Sequence, residues 1–131
     1  MPQVPARYVF VYGTLRRGDD NDINLRQPLP VFVGEARVAG TLYHLGGYPG
    51  LVLGGNGWVV GEVYAITEAL ERDLDALEAV YPQQTDEYAK REIAVSVAGR
   101  SLNCLVYEIN PHYIAHAPPI ACGDWVKGRR G

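Results

Sequence analysis

The chain has 131 residues, of which 47% are hydrophobic and 21% charged, and its formal net charge is −3 at pH 7. That is apolar material for one domain over residues 1–131, with an ordered core at about 7–126, and it excludes a disordered chain. The acidic balance has no cluster of Lys and Arg beyond a short tail of Lys127, Arg129 and Arg130, which speaks against nucleic acid as a partner.

No apolar run approaches the length of a membrane span, and residues 1–5 lack the hydrophobic centre of an export signal. A cytoplasmic location without a membrane partner is expected. Cys104 and Cys122 lack metal-ligand spacing and are expected as free thiols. His112 and His116 stand at i and i+4, but the prolines around them oppose a helical metal pair, so no metal is expected. A monomer or weak homodimer is the expected state.

In chain order, residues 7–12 read as a strand, since Val9, Phe10, Val11 and Tyr12 are β-branched or aromatic. Gly13 follows at once; without a Cβ the chain can turn and bring main-chain N–H groups close to a ligand. Thr14 adds a hydroxyl, and Arg16 and Arg17 read as solvated charges. A polar, turn-rich run covers 18–22, and Pro28 and Pro30 limit any helical turn begun at Ile23. Residues 31–45 read as one or two strands bent at Gly34 and Gly40. Then come a loop over 44–50 and a short apolar piece over 51–53. Gly54-Gly55-Asn56-Gly57 reads as a turn into a strong antiparallel strand over 58–66.

The rhythm changes at Thr67. Leu70, Leu74, Leu77 and Tyr81 recur at helical spacing, Thr67 is a fitting N-cap, and Glu68 suits the first turn. With Pro82 just past its end, the pattern predicts a helix over 67–80. A loop over 81–88 follows, then strands over 91–97 and 101–109 joined at Ala98-Gly99-Arg100, then irregular chain over 110–119. About six strands, mostly antiparallel, with one main helix predict an α+β fold. Its sheet is expected to close into a small β-barrel that removes its edges, with the helix packed against it.

Among the acids, Glu78 falls at the border of the helix's apolar stripe, four residues after Leu74 and directly after Leu77. Glu71 is nearly as well placed, so spacing does not choose between them. Asp75 and Arg72 are expected to point to solvent.

Tyr12-Gly13-Thr14-Leu15 after a hydrophobic strand resembles the signature loop of the γ-glutamylcyclotransferase-like family, which includes γ-glutamylamine cyclotransferases and short YtfP-like and AIG2-like proteins. Leu74-Asp75-Ala76-Leu77-Glu78, an interval, and then Tyr88-Ala89-Lys90-Arg91 entering a strand are similar to the family's second signature. That signature is Asp-x-x-Glu, a Tyr and a basic residue. The strand Val59-Val60-Gly61-Glu62-Val63-Tyr64, the loop Tyr48-Pro49-Gly50 and the closing Gly123-Asp124-Trp125 also resemble short members, so the resemblance runs from Tyr8 to Trp125.

The resemblance implies an amide cyclisation of a small γ-glutamyl substrate, with γ-glutamylamines the expected class. The substrate's α-amine attacks its own γ-carbonyl, giving 5-oxoproline and a free amine. This chemistry requires no metal, cofactor or protein nucleophile. The general acid/base of the second signature falls on Glu78. Main-chain N–H groups of Gly13, Thr14 and Leu15 are the expected oxyanion donors. Tyr12, Tyr88 and Tyr107 would shape the pocket, with loop N–H groups or Arg16 for the α-carboxylate. Two other readings stay open: a non-catalytic small-molecule binding module on the same fold, and an anion or nucleotide binder using the glycine loop. The lack of a full phosphate-loop motif counts against the last.

Overall fold

The computed structural model describes residues 7–13, 15–17, 22–25, 29–45, 49–77 and 88–125. Residues 46–48 of the expected loop over 44–50, residues 81–87 of that over 81–88, residues 18–21 of the polar run over 18–22 and the last residues of the expected helix, 78–80, lie outside the described residues. The elements are β1 (Arg7–Val11), a 3-10 turn (Ile23–Leu25), β2 (Val31–His44), β3 (Pro49–Ile66), α1 (Glu68–Leu77), β4 (Tyr88–Val97), β5 (Arg100–Ile109) and a second 3-10 turn (Pro111–Ile114).

The strands form one five-stranded mixed sheet in the order β2-β3-β1-β5-β4. β1 runs antiparallel to β3, from Arg7 opposite Ile66 to Val11 opposite Glu62. On its other side it is parallel to β5, at Tyr8–Cys104 and Val9–Leu105. β1 is short and β3 is long. Past the end of β1, β3 reaches across to β5 and pairs Leu51 with Glu108.

Two expectations are corrected. The sheet is not a closed barrel: among the described residues no ladder joins its edge strands, β2 and β4. They come together only by packing. Ala36 and Val38 of β2 share a core with Val95 and Val97 of β4, and the Val97 methyl Cγ2 lies 2.8 Å from where a Cβ on Gly34 would stand. Nor does the glycine run reverse the chain. Gly40 pairs with Leu53 and Ala39 with Trp58, so residues 54–57 bulge out of one strand that keeps the same partner. The pieces 51–53 and 58–66 are therefore two ends of β3. The bends expected at Gly34 and Gly40 coincide with the register shifts of β2.

The hairpin at Ala98-Gly99 is as expected. Its φ angles of 51° and 77° suit the primed turn whose twist matches the flanking strands. Tyr88 is the first residue of β4 rather than the last of a loop, because it pairs with Ile109.

Each face of the sheet buries its own core. One holds Phe10, Tyr12, Val38, Leu42, Val63, Val95, Cys104, Val106 and Trp125. The other holds Val9, Val11, Tyr64, Leu105 and Tyr107 beneath Leu70 and Leu74 of α1. Helix α1 is capped as expected, with Thr67 Oγ1 accepting the Leu70 N–H at 3.2 Å. No helix of the described residues is long and apolar enough to cross a membrane. Cys104 and Cys122 are both free, and burial pushes the Cys104 thiol up to about 11.

The C-terminal segment is laced to the sheet. Ile120 N–H donates to Leu42 O at 2.7 Å, and Val60 N–H donates to Gly123 O at 2.8 Å. Gly123 has φ +67°, and a Cβ there would overlap the Trp58 carbonyl oxygen. Gly55 has φ +79° with open space around it. Gly55→Ala should therefore cost about 1 kcal/mol of backbone strain alone. Gly123→Ala should cost roughly 3 kcal/mol, adding a clash the backbone must relieve. Urea denaturation of the two variants measures the difference.

Candidate functional site

The site grows from the end of β1. Where β1 stops, Tyr12 fills the gap between β3 and β5. Its hydroxyl donates to Tyr107 O at 2.5 Å and accepts the Leu51 N–H at 3.3 Å. Tyr12 is thus a core residue that ties three strands together. Gly13 comes next, pressed on Pro49: a Cβ would stand 2.7 Å from Pro49 Cγ. The loop's carbonyls are tied back, Gly13 O accepting from Arg16 N–H at 3.0 Å and Leu15 O from Ile23 N–H at 2.9 Å. The Leu15 side chain is buried in the core under α1, so only its main chain can face a ligand.

Around this loop the structure gathers further residues of the two signatures. Tyr88 O–H donates to Pro49 O at 2.8 Å, fixing the segment that packs on Gly13. Tyr107 O–H donates to Asp75 Oδ1 on α1 at 2.7 Å. Lys90 Nζ donates to Asp75 Oδ2 at 2.9 Å and is also paired with Glu71. Glu71 lies 3.5 Å from Arg7 Nε. Of the expected site residues, Tyr12 and Tyr107 lie on a hydrogen-bonded path to α1, while Gly13 and Tyr88 meet through Pro49, the first by packing and the second by a hydrogen bond. Thr14 and Glu78 lie outside the described residues.

Asp75 corrects the sequence reading. It is 8% exposed instead of facing solvent. It stands one residue past Leu74 on the helix, and Tyr107 O–H and Lys90 Nζ cover its two carboxylate oxygens. Arg72 is exposed as expected. Glu71 faces Lys90, which places it in the charge cluster. Burial works to lower the Lys90 pKa, but hydrogen bonds to Glu71 and Asp75 outweigh it, so the ammonium is held above its usual range.

Arg16 is the second correction. It is 8% exposed, with Glu62 and Asp124 each at 7%. Its Nε donates to Glu62 Oε2 at 3.2 Å and its Nη1 to Asp124 Oδ1 at 2.8 Å. Glu62 Oε1 accepts the Arg17 N–H at 3.0 Å and the Tyr64 O–H at 2.8 Å. Arg17 itself is exposed, its guanidinium 4.8 Å from the centre of the Phe32 ring. The signal for Glu62 was present in the sequence as one acid inside the apolar run Val59-Val60-Gly61-Glu62-Val63-Tyr64. Asp124 stands likewise between Gly123 and Trp125. A charge in such company implies a buried partner, but not which one.

An open groove of about 360 Å³ lined by Arg7, Tyr8, Glu92, Asn103 and Leu105 lies toward the other end of β1. Five residues of extended chain, about 16 Å, separate Tyr8 from Gly13.

A glycine loop at a strand end, whose Leu15 packs under a helix that carries a buried acid, defines a small α+β protein with one five-stranded mixed sheet. The chain belongs to the γ-glutamyl cyclotransferase, AIG2-like family, whose model matches residues 9–127. A Vibrio cholerae relative is 46% identical over 72 residues, 55% of this chain and 62% of that protein. The γ-L-glutamyl-butirosin B γ-glutamyl cyclotransferase of Niallia circulans is 39% identical over 74 residues, 56% of this chain and 46% of that protein. The chain thus spans less than two thirds of either relative's length. Among solved structures, the YtfP protein of Escherichia coli is 34% identical with a TM-score of 0.63, covering 95% of this chain and 99% of that one. An AIG2-like protein of Mus musculus is 29% identical with a TM-score of 0.68, covering 83% and 82%.

The network also sets an alkaline limit. Burial pushes Tyr64 up to about 12, helped by the neighbouring Glu62 carboxylate and opposed by the Asn24 hydrogen bond and Arg17. The unfolded phenol ionises near about 10, so the folded state holds its proton more tightly. This contribution is complete below pH 10 and is lost as pH rises toward 12; Lys90, also raised, acts in the same direction. Urea midpoints at about pH 9 and 11.5 should therefore fall less for Tyr64→Phe than for the wild type.

Proposed function

We propose that this protein is a working γ-glutamyl cyclotransferase that releases 5-oxoproline from γ-glutamylamines, with Glu78 as general acid/base. The observation that carries the reading is the convergence of the family's two signatures. The Gly13 loop, Pro49, Tyr88, Tyr107 and Asp75 are contiguous through hydrogen bonds and packing. Glu78 follows directly on Leu77, the last described residue of α1.

Three demands of the chemistry fit these parts. The α-ammonium must lose a proton before it attacks. An ordinary carboxylate is too weak a base by about 3.5 units, a gap worth about 5 kcal/mol, and each unit by which burial raises it recovers about 1.4 kcal/mol. In this reading Glu78 takes that proton and later hands it to the leaving amine. The tetrahedral intermediate places negative charge on the former γ-carbonyl oxygen, which N–H groups at Gly13, Thr14 and Leu15 receive. One such donor is commonly worth about 3–4 kcal/mol. Finally, the γ-glutamyl chain must be folded so that amine and carbonyl meet, and a pocket walled by Tyr88 and Tyr107, with Tyr12 behind it, would hold it so.

The test is 5-oxoproline release from a panel of γ-glutamylamines and γ-glutamyl amino acids. Wild type should turn over the amines better, and Glu78→Gln should lower kcat at least about 100-fold. Equal rates for the two would remove Glu78 from the mechanism. Binding by calorimetry without turnover would favour the non-catalytic module. Gly13→Ala, whose Cβ would push on Pro49, should also cost about 100-fold in kcat while the protein stays folded by circular dichroism.

A further inference from the structure

Main-chain donors stabilise a developing charge only when they are already in place, because a loop that must first be ordered spends the interaction on ordering. Among the described residues the loop after β1 joins no ladder, the pairing with β3 ending at Val11, so side chains must help to hold it. Arg16 bridges Glu62 on β3, 46 residues away, and Asp124 near the C-terminal end, 108 residues away. The Arg17 N–H is held by the same Glu62, and that acid also takes the Tyr64 hydroxyl. Asp124 is in turn placed by Gly123, whose carbonyl is bonded to Val60 N–H and which packs where a Cβ would overlap the Trp58 carbonyl oxygen. Trp125 follows, 1% exposed in the core.

We propose that Arg16 is a positioning residue: with Glu62 and Asp124 it forms a buried clamp that fixes the main chain at Gly13 and Leu15 in the shape the reaction uses. The inference rests on the cyclotransferase reading for the loop's role. The guanidinium is already shared between two buried carboxylates, so it is not the group that meets the substrate's α-carboxylate. Its planar fork suits such a clamp, since separate N–H groups reach two acids at once, which a single ammonium on a shorter reach does not reproduce. The clamp also makes the C-terminal segment part of the site's support, Asp124 acting through Arg16.

Two variants test it, Arg16→Lys and Asp124→Asn, the second nearly isosteric and so less prone to fail in folding. For each, kcat and KM for 5-oxoproline release are measured well below the variant's melting temperature. The expected result is a kcat lowered about 10- to 100-fold with KM within about two-fold. In parallel, amide exchange is followed by NMR in Asp124→Asn. The amides of Arg16 and Ile23, which bond the loop's carbonyls, should exchange at least about ten-fold faster, while those of the β4–β5 hairpin keep their rates. A purely structural loss would speed both sets alike. Unchanged kcat, a rise in KM alone, or unchanged exchange at Arg16 and Ile23 would overturn the clamp. The exchange arm needs no turnover. If the wild type makes no 5-oxoproline the functional reading fails by itself, and exchange still decides whether the clamp exists.

Discussion

Beyond Val11 the sheet is held together by a side chain in place of a strand. β1 ends, β3 swings over to meet β5, and the Tyr12 hydroxyl joins the main chains of both. Everything at the site follows from that junction. Because Tyr12 is anchored, Gly13 emerges at a fixed point, pressed on Pro49 where no larger residue fits. Because the anchor is Tyr107, whose carbonyl accepts from Tyr12 and whose hydroxyl donates to Asp75, one residue links the loop to α1. A buried hydroxyl between two strands is worth little net stability, but leaving its partners unmet would cost more. Its value here lies in fixing geometry.

Charge is distributed in two networks, one buried and one partly exposed at Lys90. Arg16, Glu62 and Asp124 secure the loop side. Lys90, Asp75 and Glu71 secure the helix side. Buried ion pairs are weak evidence for stability, since desolvation cancels much of their attraction. They are better understood as alignment devices, since each fails sharply if one partner moves. In both networks the acids are paired with a cation, so the second signature's Asp75 serves the framework. An acid meant to carry protons must stay outside such pairing, which is the division of labour the proposed mechanism requires of Asp75 and Glu78.

The open sheet has its own logic. A closed barrel would have removed both edges. The chain instead packs β2 against β4 through Gly34 and Val97 without pairing them. Closure by side-chain contact buries the core equally well. It leaves the pairing of β3 free to move from β1 to β5, and that exchange creates the gap which Tyr12 fills.

The sequence by itself determined the local geometry. Helical spacing and the Thr67 cap set α1, the Ala98-Gly99 turn set the β4–β5 hairpin, and glycines marked where β2 shifts register, because each rule acts over a few residues and depends on nothing distant. The family signatures likewise pointed to the loop and to the acid-bearing helix. What the tertiary structure decided were the partners. Arg16 looked like a surface charge until the fold brought Glu62 and Asp124 to it, and Asp75 looked solvent-facing until Tyr107 and Lys90 closed over it. The same is true of residues 54–57, which turn the chain in isolation but bulge from it when β2 continues alongside. A charge's preference for water or for a partner is a competition between solvation and pairing, and only the fold supplies the second term.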